Sequence, residues 1–369
     1  MLDDDRALAQ KLGFNPYCRK RDAGLADMAS NDYLGIARHP LVLAGAKAAL
    51  DEYGASMCGT PIACGSSELS DAVARRLAEF AGVADAALFP SCYQANNGVF
   101  QALCGEGDLI VFDRFCHSSL VQGIFASPAE RTPFRHNDLA HLEAVLSRQS
   151  ARRGRVFVAT ESVFSTEGAV APLDGIAALC ARFGATPVVD DSHGIGVLGA
   201  GGRGALERFG LRGNFDGGIL TASLGKALAS SGGMVGADSA TIERLRYYCP
   251  HLIYSTAISP PALGAVAGAL DVICAEFAER SARLRGYKQI LQEASPRMAR
   301  TEAPINSLFC GTKEKAVLDA KAFFESGIAV TPFVEPSVPR GKCVVRLIAN
   351  AGLAPEAVDA AVRVLKNLE

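Results

Sequence analysis

The side chains that could do chemistry fall in five short polar runs, each directly behind an apolar stretch. Pro90-Ser91-Cys92-Tyr93-Gln94-Ala95-Asn96-Asn97-Gly98 follows Ala86–Phe89, and Asp113-Arg114-Phe115-Cys116-His117-Ser118 follows Leu109–Phe112. Glu161-Ser162-Val163-Phe164-Ser165 follows Val156–Thr160. Asp190-Asp191-Ser192-His193 follows Thr186–Val189, and Ser223-Leu224-Gly225-Lys226 follows Gly218–Ala222. Lys226 has only small polar or apolar neighbours, among them Ala222, Ser223, Gly225 and Ala227. Partial desolvation lowers a lysine pKa and makes the amine a Schiff-base nucleophile. Asp190 could cap a helix or hold a buried cation. Beside a carbonyl-reactive lysine the second use points to pyridoxal phosphate, whose ring nitrogen needs an acidic partner to act as an electron sink. His193 could then donate to the ring's phenolic oxygen, and His117 could stack on the ring. The residues after Ser91 offer backbone N–H groups at a helix start, which is a ready anion site. Ser223 and the pair Ser255-Thr256 could add hydroxyls to a phosphate. Each residue alone has a plainer use, as a surface lysine, a cap or a structural histidine; five runs in order make a site. His39, His136, His141 and His251 have no such company and read as structural.

Several motif matches fail on context. Gly194-Ile195-Gly196-Val197-Leu198-Gly199 fits G-x-G-x-x-G, but four polar residues separate it from its strand and more glycine follows where a helix should start. A nicotinamide site is therefore not expected. Ser223-Leu224-Gly225-Lys226 fits S-x-x-K without the S-D-N and K-T-G partners of an acyl-enzyme. It fails as a phosphate loop because Leu220 and Ala227 stand where glycine and Ser/Thr are required.

The elements that must position these runs follow from periodicity. Short β-rich runs alternate with helical patterns such as Ser70–Phe80, Leu139–Gln149 and Leu173–Phe183, which predicts βαβ units and a mostly parallel sheet between helices. Ligands then bind outside the carboxyl ends of the strands. Beyond Ser259-Pro260-Pro261 the pattern changes to a helix over Ala262–Ala278, β runs at Asn306–Cys310, Ala329–Val334 and Cys343–Ala349, and helices at Lys313–Ser326 and Pro355–Leu368. The expectation is an α/β protein with an arm over 1–45, a large domain over 46–260 and a small C-terminal α+β domain over 261–369.

The 369 residues carry 49% hydrophobic and 21% charged side chains, enough apolar surface to exclude a disordered chain. A net charge of −2 leaves no basic footprint for nucleic acid. No unbroken apolar run reaches the roughly 18 residues of a membrane span, and the acidic start has no signal-peptide pattern. The eleven cysteines, from Cys18 to Cys343, are odd in number and form no C-x-x-C pair. That favours reduced thiols and a cytoplasmic enzyme.

Further stretches make a family resemblance visible: Asn31-Asp32-Tyr33-Leu34-Gly35, Asp113-Arg114-x-x-His117-x-Ser119 and Glu161-Ser162-Val163-Phe164-Ser165. Val189-Asp190-Asp191-Ser192-His193, Leu224-Gly225-Lys226-Ala227 with Ser231-Gly232-Gly233, and Tyr254-Ser255-Thr256 add to them. Over nearly its whole length the chain resembles the α-oxoamine synthases, fold-type I pyridoxal-phosphate enzymes that join an acyl-CoA to an amino acid, usually with loss of CO2. The resemblance implies that Lys226 carries the cofactor and shuttles protons, and that Asp190 pairs with the ring nitrogen. It implies that His193 and Ser165 bind the phenolic oxygen and that His117 stacks on the ring. Cys92, Tyr93 and Ser223 would line the phosphate end, with Ser255 and Thr256 reaching a partner subunit's phosphate in a homodimer that shares its sites. Arg346 would hold the amino-acid carboxylate.

Departures bear on substrate. The family's G-G-S-R stretch reads Cys58-Gly59-Thr60-Pro61, and its E-L-H reads Glu68-Leu69-Ser70. Loss of that arginine and histidine predicts an uncharged fatty acyl group, as in the branch that makes quorum-sensing autoinducers. Val197-Leu198-Gly199 is more similar to the 8-amino-7-oxononanoate synthases of biotin synthesis, so both branches stay open. A non-catalytic subunit would be expected to lose Lys226, and an aminotransferase would need a second carboxylate-binding arginine.

Overall fold

The computed structural model describes residues 2–16, 22, 24–149, 152–215 and 217–368, with side chains from residue 6 onward; Cys18 lies outside the described residues. The chain forms two compact units. The larger comprises Ile36–Phe164 and Val170–Ala278, the smaller Met1–Gly35, Ser165–Ala169 and Glu279–Glu369.

The larger unit is built on a seven-stranded sheet. Its strands are β1 (Asp85–Phe89), β2 (Leu109–Asp113), β3 (Glu130–Phe134), β4 (Val156–Glu161), β5 (Ala185–Asp190), β6 (Ile219–Ser223) and β7 (Gly233–Ala237), in the spatial order β1-β7-β6-β5-β4-β2-β3. β7 runs antiparallel to both its neighbours and the other pairs are parallel. β1, β2, β4, β5 and β6 therefore all end on one edge, the edge behind which the five polar runs lie. Every residue of β2 and β4 is buried, which is why these strands read as unbroken apolar runs rather than alternating ones. Phe89, Phe100, Ile110, Leu120, Val188, Ile219 and Val235 belong to one buried cluster that joins sheet and helices.

One strand was not legible. β3 is a sheet edge, mostly exposed, with a polar sequence and Pro133 in its middle. Proline is tolerated there because an edge strand leaves N–H groups unpaired. The long helix also exceeds expectation. It spans Pro260–Glu293 instead of ending at Ala278, because its second half is charged outside and buries only Leu284, Leu291 and a few others. By length and composition alone this helix could cross a membrane, but 56% of its most apolar window is buried inside the protein, as in a core helix. Within the larger unit it meets helix Pro40–Tyr53 backbone to backbone: a methyl on Gly264 would fall on the Gly45 carbonyl, and one on Gly268 on the Leu41 carbonyl.

The smaller unit holds a three-stranded antiparallel sheet, β8 (Ile305–Gly311), β9 (Thr331–Phe333) and β10 (Cys343–Ile348), in the order β9-β10-β8. The expected single run over Ala329–Val334 is split: Ile328–Ala329 pairs in parallel with Ala26–Asp27, and only Thr331–Phe333 joins the sheet. Helices Lys313–Glu325 and Pro355–Asn367 complete the unit.

Candidate active site

Asp190 is the last residue of β5 and 5% exposed, behind fully buried Val188 and Val189. A carboxylate in that position must be hydrogen-bonded. The Ser192 amide donates to its Oδ1 at 3.0 Å, and Asn96 Nδ2 donates to its Oδ2 at 2.7 Å. Asn96 projects from helix Cys92–Leu103, whose N-cap Ser91 accepts from the Gln94 amide at 3.2 Å.

Lys226 sits in the tight loop behind β6. The loop is closed by Leu224 N–H to the Gly232 carbonyl, Ser230 N–H to Leu224 and Ala229 N–H to Lys226 itself. Gly232 has φ +119°, where a side chain would be strained and would press on Ile258 and the Phe89 carbonyl. The loop delivers Lys226 Nζ to 2.8 Å from His193 Nε2. His193 is almost wholly buried.

His117 caps helix Ser118–Ala126 through its side chain: Nδ1 accepts from the Ser119 amide at 3.2 Å and lies 2.7 Å from Ser119 Oγ. Its own amide donates to the buried Glu161 at 2.6 Å. Crowding by protein atoms lowers the His117 pKa; the Asp190 charge opposes the shift and Lys226 adds to it. Cys92 Sγ is 3.2 Å from Ser192 Oγ on the cavity wall, and burial, with the Asp190 charge, pushes its thiol pKa well up. Tyr93 is half exposed. Ser223 Oγ accepts from the Gly225 amide at 3.2 Å, and Ser255 Oγ accepts from Gln94 Nε2 at 3.2 Å, with Thr256 exposed next to it.

The structure thus gathers Cys92, Tyr93, His117, Asp190, His193, Ser223 and Lys226 around one cavity of about 330 Å³ at the carboxyl edge of the sheet. Ser255 and Thr256 are not among the residues that line it; Ser255 is bonded to the Gln94 side chain, and the Gln94 backbone amide in turn bonds the cavity-lining Ser91. Ser165 and Arg346 are in the smaller unit, where Arg346 Nη1 donates to the Ser165 carbonyl at 2.9 Å. Arg346 is 7% exposed, its guanidinium lies 4.6 Å from the Phe333 ring centroid, and its Nε is buried without a hydrogen bond among the described residues. Ser70, expected from sequence to replace a histidine of the family pattern, is occupied locally: it forms a reciprocal capping box with Ser67 at the start of helix Glu68–Ala81. Among the described residues no cluster of His, Cys, Asp or Glu could hold a metal.

Asn96, Ser119, Glu161 and Thr221 carry much of this geometry and were assigned no role from sequence. The available signal was Asn96-Asn97, two consecutive amides on a helix stretch that is otherwise apolar and buried. Buried amides must be satisfied, so such a pair marks a polar network.

The donor set suits pyridoxal 5'-phosphate: an amine for its aldehyde, a buried carboxylate for its ring nitrogen, and hydroxyls beside a helix amino end for its phosphate. The cavity opens next to all of these groups. Family comparison agrees. The aminotransferase class I and II model matches residues 23–365, and the chain belongs to that family of pyridoxal-phosphate enzymes. Within it the chain is an α-oxoamine synthase. It is 38% identical to the 8-amino-7-oxononanoate synthase of Mycobacterium sp. (strain KMS), over 100% of this chain and 96% of that one. It is 35% identical to the 2-amino-3-ketobutyrate coenzyme A ligase of Salmonella typhimurium (strain LT2), over 93% of this chain and 88% of that one. The solved serine palmitoyltransferase of Sphingomonas wittichii superposes with a TM-score of 0.93 at 25% identity, covering 100% of this chain and 96% of that one.

Proposed function

We propose that the enzyme condenses an acyl-CoA with an α-amino acid to give an aminoketone, releasing CoA, at the cavity that holds Lys226, Asp190, His193 and His117. The observation that carries this reading is the meeting of Lys226 Nζ with His193 in the same cavity as a buried, doubly hydrogen-bonded Asp190. Bound pyridoxal phosphate supplies an electron sink for negative charge at the amino-acid α-carbon. Lys226 Nζ would hold the cofactor through its aldehyde, and the same amine is placed to take and return the α-proton. His193 orients that amine and, with Ser165, would hold the cofactor's phenolic oxygen. Asp190 keeps a proton at the ring nitrogen, since a close carboxylate favours the charged form of its partner. The lowered pKa of His117 keeps its ring neutral, so it offers a flat face without a competing charge. Cys92, Tyr93 and Ser223 line the phosphate end. Arg346, buried with an Nε unpartnered among the described residues, holds the amino-acid carboxylate in a paired contact. Ser255 and Thr256 contribute to the phosphate site of a second subunit in a cytoplasmic homodimer.

The acyl group is expected to be uncharged. Thr60-Pro61 and Ser70 stand where cationic or hydrogen-bonding groups would meet a terminal carboxylate, and Ser70 is committed to a helix cap. An unpaired buried anion is costly. This supports a fatty acyl-CoA and a product of the autoinducer type. The second reading, 8-amino-7-oxononanoate synthesis from pimeloyl-CoA and alanine, is favoured by the 38% identity to the mycobacterial synthase. Comparing kcat/KM for pimeloyl-CoA with octanoyl- and decanoyl-CoA decides between them. A preference for the medium-chain substrates is expected; a clear preference for pimeloyl-CoA with alanine assigns the enzyme to the biotin pathway. Absence of CoA release with every acyl-CoA would overturn both.

A further inference from the structure

We propose that Asn96 is a positioning residue that aims the Asp190 carboxylate at the cofactor's ring nitrogen and ties it, through Ser119, to His117. The inference rests on the reading of Asp190 as the ring-nitrogen partner.

The orientation of the Asn96 amide is forced. A carboxylate can only accept, so the side of Asn96 that faces Asp190 Oδ2 at 2.7 Å must be its NH2. The same nitrogen reaches Ser119 Oγ at 2.8 Å with its second hydrogen. Asn96 Oδ1 is left to accept from the Thr221 hydroxyl at 2.6 Å. All three hydrogen bonds join buried residues on separate elements: helix Cys92–Leu103, the end of β5, β6 and helix Ser118–Ala126. With Thr221 fixing one end, the amide cannot turn over without facing its oxygen to the carboxylate. Asp190 Oδ1 is held separately by the Ser192 amide. The carboxylate plane is therefore clamped from both sides, and rotation about its terminal bond breaks at least one clamp.

The other arm runs to His117. Ser119 Oγ accepts from Asn96, so its own hydrogen is free to point at His117 Nδ1, 2.7 Å away. The Ser119 amide also points there. Nδ1 is thus an acceptor, and the neutral ring carries its proton on Nε2. Asn96 therefore links the two groups proposed to meet the ring, one at its edge and one on its face.

The test compares pyridoxal phosphate with its analogue carrying carbon in place of the ring nitrogen, each titrated into apoenzyme and followed by absorbance. Wild-type enzyme should bind pyridoxal phosphate more tightly than the analogue. Asn96→Ala should reduce that ratio by roughly tenfold to a hundredfold, the range for losing a hydrogen bond to a charged group, while weakening the analogue little. Thr221→Val leaves Asn96 in place but frees its amide to turn, so it should reduce the ratio in the same direction and by less. Equal weakening of both ligands in Asn96→Ala would show a purely structural role and overturn the proposal. If Asn96→Ala does not fold, an unchanged ratio in Thr221→Val overturns it. A wild-type enzyme without any preference for the ring nitrogen would instead remove the reading of Asp190 on which the proposal stands.

Discussion

Asp191 offers a sharp test of the electrostatics around the site. It is fully buried directly behind Asp190, and burial raises its pKa from 3.8 to about 7; the Asp190 charge pushes the same way, while the Ser162 hydroxyl and the Ala205 amide oppose it. Its Oδ2 accepts from the Ala205 amide at 3.0 Å, and its Oδ1 is buried without a hydrogen bond of normal geometry among the described residues. Below about pH 4 the group is protonated in both folded and unfolded chains, and its contribution to stability is fully present. As pH rises the unfolded chain ionises first and the folded one resists until about 7, so stability falls across that window. At 1.36 kcal/mol per pH unit the gap is worth about 4 kcal/mol. Asp191→Asn removes the ionisation. Its amide oxygen can accept from Ala205 and its nitrogen can face the Ser162 hydroxyl. We expect Asp191→Asn apoenzyme to match the wild type near pH 4 and to exceed it by up to about 4 kcal/mol at pH 8. Urea unfolding at intervals between those limits measures the difference. Parallel curves for the two proteins, with the same offset at every pH, would refute the assignment of a raised pKa to Asp191.

Lys226→Ala should abolish borohydride fixation of the cofactor while the fold persists, because Nζ lies at the cavity and the residue is not part of the buried cluster; peptide mapping that finds a fixed cofactor on another lysine contradicts the assignment. The exposed Tyr254 and Thr256, beside Ser255, fit a surface covered by a second copy. Light scattering should show a dimer, and full activity in a monomeric peak would sink the shared-site reading.

What the sequence showed and hid has a physical pattern. β2 and β4 were legible because strands buried on both faces must be apolar throughout, and helices Glu68–Ala81 and Leu173–Phe183 because each carries a clear buried face, whereas helix Ser118–Ala126 was not expected. β3 was hidden because an exposed edge strand has no apolar face to display, and the second half of helix Pro260–Glu293 because its charge masks a narrow buried stripe. At the site, Lys226, Asp190, His193 and His117 stood out because strand ends release side chains from packing duty, so a reactive residue there contrasts with the apolar run before it. Ser119 and Thr221 did not stand out because each lies inside a regular element, on a buried face, and for Asn96 the one signal was its pairing with Asn97 in an otherwise apolar helix stretch. Their roles exist only in three dimensions. Thr221 is two residues before the end of β6 and Asn96 is on the second turn of its helix, and no spacing rule brings them together. What joins them is the requirement that a buried carboxylate leave none of its neighbours' hydrogen-bonding capacity unused. A side chain at a strand end is therefore marked by its place along the chain, whereas a polar side chain inside a regular element is marked mainly by the partners it satisfies.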